Sequence, residues 1–131
     1  MNGQVVTGQE LRTIIQGVYP RAYVPAIDKR YFLPSLDFAR VQLLGSTFKD
    51  YGFKPETFDC DDYAAVLLGK VKERQLREKW AHPMAFGMAI GTLKNGLNHV
   101  TNVAVTDLEE VVWLDCIGHD MAGFRPRLIW I

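Results

Sequence analysis

At Met84 the hydrophobic pattern of the chain changes period. Before that point apolar residues recur at helical spacing; from "MAFGMAIGTL" onward they alternate with polar or small ones. A helix repeats its side-chain direction about every 3.6 residues and a strand every 2, so neither pattern can serve the other geometry. The chain therefore divides into a helical first part and a sheet-forming second part, an α+β order.

The helical part reads in three pieces. "TGQELRTIIQGVYP" places Thr7 and Glu10 as a capping box, followed by Leu11, Ile14, Ile15 and Val18 on one face, with Pro20 as the stop. A loop carrying Pro25 and Pro34 leads to "SLDFARVQLLGSTFKDYG". There Ser35 caps a helix with Leu36, Ala39, Leu43, Leu44 and Phe48 inward, weakened at Gly45 and ended at Gly52. The third helix is capped by Asp59, begins with Cys60, Asp61 and Asp62, and buries Ala64, Leu67, Leu68 and Val71. Its basic residues lie toward its C-terminal end, where the helix dipole favours them.

In the second part, Lys94-Asn95-Gly96 joins two alternating runs as a hairpin, with Asn-Gly supplying positive φ angles. "EVVWLDC" follows through a turn at 107–109, and "RPRLIWI" closes the sheet. We expect a single domain over 1–131. With 48% hydrophobic residues the chain can bury a core without disulfide staples. Fifteen basic residues offset fifteen acidic ones, which argues against nucleic acid or an anionic membrane as partner. No apolar run is long enough to cross a bilayer, and "MNGQVVTGQE" has no signal-peptide character. Two cysteines far apart in sequence suit a reducing compartment, so a cytoplasmic location is expected.

The chemistry centres on Cys60. At a helix N-terminus, unpaired N–H groups and the helix dipole favour a thiolate, whereas neighbouring carboxylates oppose it. A reactive Cys60 would need an imidazole partner or a cation that neutralises the acids. The plain alternative is a core cysteine on the face of Ala64, Leu67 and Val71. Downstream, His99 on one strand and Asp115 on the next complete the layout of a thiol nucleophile, a base and an orienting carboxylate, with Asn102 as an auxiliary. That layout requires Asp115 to fall on the face of His99, which an odd-membered loop between the two strands achieves and an even-membered pairing does not. Cys116 and His119, in C-x-x-H spacing, offer a weaker zinc alternative with Cys60 or His99. No side chain stands out for an oxyanion hole.

"YFLPSLDF", "FDCDDYA", "NHVTN" and "VVWLDC" together resemble the papain-like domain family of the Marasmius oreades agglutinin C-terminal region and the phage proteins related to that lectin. The resemblance implies a papain-like fold, with N-terminal helices packed on a C-terminal antiparallel β-sheet. It also implies a cysteine peptidase or amidase acting on a protein or peptide substrate, with Cys60 as nucleophile, His99 as base and Asp115 as orienting acid. A calcium ion on Asp61 or Asp62 follows from the same resemblance. The sequence departs from the family where Asn98 precedes His99 and where Asp115-Cys116 replaces Glu-Pro. Two further readings stand beside the hydrolase: a transglutaminase-like acyltransferase, and a phage-encoded binding or structural protein that keeps the fold without turnover.

Overall fold

The computed structural model describes residues 3–44, 59–115 and 117–131. Its elements run β1 (Gln4–Thr7), α1 (Gly8–Val18), β2 (Arg30–Leu33), α2 (Leu36–Leu44), α3 (Cys60–Arg77), β3 (Phe86–Thr92), β4 (Asn98–Val105), β5 (Val111–Leu114) and β6 (Arg125–Trp130). The architecture is α+β. β1 and β2 form a small antiparallel sheet, and the other four strands form an antiparallel sheet in the order β5-β4-β3-β6. Among the described residues no helix is long and apolar enough to cross a membrane.

Local chemistry explains where the helices begin. Thr7 Oγ1 accepts from the Glu10 N–H at 3.1 Å, and the Glu10 carboxylate accepts from the Thr7 N–H, closing the expected capping box. Leu11 and Ile15 are fully buried, whereas Val18, expected on the same face, is exposed at the frayed end before Pro20. Ser35 Oγ accepts from the Phe38 N–H at 3.1 Å and starts α2. The expected inward position Phe48, and the helix end at Gly45 and Gly52, lie outside the described residues, as does Cys116. At the start of α3 the Asp62 carboxylate accepts from the Asp59 N–H at 3.1 Å.

The four-stranded sheet carries a core on each face. Odd-numbered β4 residues Val103 and Val105 pack with Leu11, Ile15, Leu33 and Ile129. Ala104 faces the other way, onto Leu67 and Val71 of α3 and Ala39 of α2. Each fully buried Leu, Ile or Val contributes roughly 1.5–3 kcal/mol, so both faces are needed to hold a sheet this small. The sheet was read correctly from its alternation, but two features differ from expectation. The hairpin turn has its positive φ at Gly96 alone (φ +89), so it is a turn followed by a left-handed glycine rather than a two-residue Asn-Gly turn. The β1–β2 pair, with Val6 opposite Tyr31, occupies segments whose pattern suggested a helix lead-in and a loop.

Candidate functional site

His99 stands on β4 and is 3% exposed. Its face is decided by the β4–β5 register: Val105 pairs with Val111 and Asn102 with Leu114, so the connection spans the five residues 106–110. The odd-membered loop places odd positions of β5 beside odd positions of β4. Asp115, just past the end of β5, thereby reaches His99, and Oδ1 lies 2.9 Å from Nε2. A tight turn then folds the chain back, with the Gly118 N–H donating to the Asp115 carbonyl and Gly118 at φ +86. This return brings His119 onto the same carboxylate. Its backbone N–H donates to Oδ2 at 2.7 Å, and its Nδ1 lies 3.2 Å from Oδ2. The two imidazole rings are 4.5 Å apart between centroids, inclined at 54°.

Burial alone would raise the Asp115 carboxyl. The hydrogen bonds from His99 and the His119 backbone, with the charge of both rings, outweigh it and bring the group below its ordinary value. The result is an anionic carboxylate with only 5% of its side chain exposed, gripped between two imidazoles.

Asn102 has a different duty. Its side-chain N–H groups donate to the Ala64 carbonyl on α3 at 3.0 Å and to the Gly87 carbonyl on β3 at 3.2 Å. Strand alternation puts this amide on the face opposite His99, where it ties helix to sheet.

Cys60 is a free, half-buried thiol at the first turn of α3. Burial pushes its pKa up, the backbone of Val100 pulls it back, and the Asp59 and Asp61 charges raise it further. The helix N-terminus is therefore outweighed, and the thiol stays protonated at neutral pH. Asp61 is also raised, first by a hydrogen bond shared with the Asp59 carboxyl and then by burial and nearby negative charge. Two carboxylates whose negative charges meet are a fair setting for a cation. The atoms that converge, however, are those of Asp59, Cys60 and Asp61, whereas Asp62 is engaged in capping.

His119 enters the site through Asp115, a partner that the C-x-x-H reading with Cys116 and either Cys60 or His99 does not include. The available signal was the Asp115–His119 spacing across a glycine turn. Beside this group opens a cleft of about 490 Å³ lined by Arg40, Trp113, Leu114, Asp115, His119, Asp120 and Met121. Trp113 is held from behind by Phe124, centroids 4.9 Å apart and nearly perpendicular, and by Tyr19 at 5.3 Å.

No protein-family model and no curated protein matches the sequence. Solved structures do share the fold. PSL1a in its E64 complex superposes with a TM-score of 0.80 at 18% identity, covering 97% of this chain and 51% of that one. The Polyporus squamosus lectin bound to the human-type influenza-binding epitope Neu5Acα2-6Galβ1-4GlcNAc gives 0.79 at 17% identity, covering 97% and 49%. The chain thus spans about half the length of each. Both are structures of a lectin of the same family as Marasmius oreades agglutinin.

These likenesses correct the expectation of a thiol hydrolase. The peptidase or amidase reading gives way, because a lectin that shares the fold is solved with a sialylated glycan. The physical reason lies at the thiol itself: desolvation and two neighbouring carboxylates oppose the thiolate that such chemistry requires.

Proposed function

We propose that this chain is a binding protein that keeps a papain-like arrangement without turnover and takes a glycan as its ligand. The observation that carries this reading is the likeness over 97% of the chain to a lectin solved with a sialylated trisaccharide. The cleft beside Asp115 has chemistry that suits a sugar. Saccharides present apolar C–H faces and a rim of hydroxyls, so their sites combine an aromatic platform with a few fixed polar groups. Trp113 supplies a ring braced by Tyr19 and Phe124, Met121 adds apolar surface, and Asp120 and His119 supply acceptors and donors for hydroxyls. Arg40 at the rim could meet the carboxylate of an acidic sugar.

The test is a glycan array followed by calorimetry with Neu5Acα2-6Galβ1-4GlcNAc and its desialylated form. We expect selective retention of at least one glycan class and an affinity loss of about tenfold, or ~1.4 kcal/mol, for Asp120→Ala or Arg40→Ala. Failure of every glycan to be retained above background would overturn the reading.

A further inference from the structure

We propose that His99, Asp115 and His119 form a binding site for a divalent transition-metal ion of the zinc class. One ligand atom from each residue lies within 4.8 Å of the other two. In a tetrahedral zinc site with bonds of about 2.0–2.2 Å, neighbouring ligand atoms stand roughly 3.3–3.6 Å apart. His99 Nε2 lies 2.9 Å from Oδ1 and His119 Nδ1 3.2 Å from Oδ2, so the two rings grip the two oxygens of one carboxylate, and small shifts of the exposed His119 ring would admit an ion between them.

The donor set selects the ion. Two imidazole nitrogens and one carboxylate oxygen suit zinc, cobalt or nickel, whereas calcium and magnesium take oxygen ligands. The site is therefore distinct in kind from a calcium site on the acids of the α3 N-terminus. Each imidazole would bind as a neutral ring, its proton moving to the other ring nitrogen. The surroundings are those of a supported metal site. The carboxylate is almost wholly buried and is oriented by the His119 backbone N–H at 2.7 Å, a contact that fixes a ligand from outside the coordination sphere. His99 is locked in the sheet, while the His119 side chain is 42% exposed and can adjust. Three protein ligands leave a fourth position for water, and two of the three, Asp115 and His119, line the cleft with Trp113 and Met121. This inference does not depend on the glycan reading, because the ion is detected without any sugar present.

The experiment uses the full chain, freed of metal with a chelator. Zinc uptake is followed by competition with a chromophoric zinc indicator, and cobalt is added in parallel to read coordination from its visible absorption. We expect one zinc per chain, a cobalt spectrum of tetrahedral intensity, and no competition from excess calcium. His119→Ala should weaken zinc binding at least about tenfold, and being a surface change it should leave the circular dichroism spectrum intact. Asp115→Asn should do the same, whereas Cys60→Ser should bind zinc as the wild type does. No zinc uptake by the wild-type chain would overturn the proposal. So would uptake unchanged in His119→Ala, or uptake abolished by Cys60→Ser, which would place the ion at the α3 N-terminus.

Discussion

A cysteine at a helix N-terminus carries two opposing instructions, and Cys60 shows which one prevails when acids surround it. The dipole and free N–H groups lower a thiol pKa only while the sulfur stays hydrated and no anion competes. Here burial acts first, and Asp59 and Asp61 add to it. The consequence for pH follows directly. The folded value lies above the ordinary thiol value, so the stability this group contributes is complete below the unfolded pKa and is lost as pH rises through the raised folded one. Alkylation must follow the same course. At pH 7 iodoacetamide should modify Cys60 more slowly than a small free thiol, with the rate climbing at higher pH than for that thiol, and His99→Ala should leave that rate unchanged. Fast labelling at neutral pH that collapses in His99→Ala would restore the hydrolase. The His99–Asp115 pair was open in the sequence, because strand parity turns on the length of one loop or on one bulge, and the β4–β5 register decides it. The thiol's burial was not legible there, because it is decided by how α3 meets the sheet, which no local spacing records. His119 lay between these cases. Its partner was four residues away in sequence, but a single glycine with positive φ was needed to see the return.

At the scale of elements, the four-stranded sheet depends on how closely its strands approach. Gly87 on β3 sits against the last strand, and a Cβ there would collide with the Trp130 carbonyl oxygen, a backbone atom that cannot swing aside. Gly87→Ala should therefore cost about 1–3 kcal/mol by overpacking and weaken the β3–β6 pairing. Gly69, in the middle of α3, is the opposite case, because a Cβ there would meet nothing within 4 Å. Gly69→Ala should stabilise by roughly 0.5–1 kcal/mol, the cost of a glycine's backbone freedom in a helix. Urea denaturation of the two variants separates these effects. Destabilisation by Gly69→Ala, or indifference to Gly87→Ala, would contradict the packing described. The contrast also marks what the hydrophobic pattern can and cannot reveal. Alternation located β3, β4, β5 and β6, and helical spacing located α1 and α3. Neither announced that the glycines of β3, Gly87 and Gly91, are sites of backbone approach while Gly69 of α3 is idle.

For the whole molecule, the question is what couples the small β1–β2 sheet to the four-stranded one. Apolar burial does much of it, since Val6 and Leu33 share a core with Val103 and Ile129. One polar link is more specific. Tyr31 on β2 is fully buried, and its hydroxyl donates to the Ile131 carbonyl at 3.0 Å while accepting from the Asp28 N–H at 2.8 Å. A single oxygen thus joins β2, the loop before it and the chain end beyond β6, across 100 residues of sequence. Its pKa is raised, chiefly by burial, so the hydroxyl keeps its proton and its donor role well into alkaline solution. Removing it leaves a backbone acceptor and a backbone donor without this partner, and each such loss in a buried setting costs about 1–3 kcal/mol. Tyr31→Phe keeps the ring and its packing, so its effect isolates the hydroxyl. We expect destabilisation of about 1–3 kcal/mol, together with faster amide exchange at Asp28. Exchange should quicken in β1 and β2 as well, while the β3–β4 hairpin keeps its protection. Equal loosening of both sheets would mean that they unfold as one unit held by apolar contact alone. An unchanged stability would remove the hydroxyl from any part in joining them.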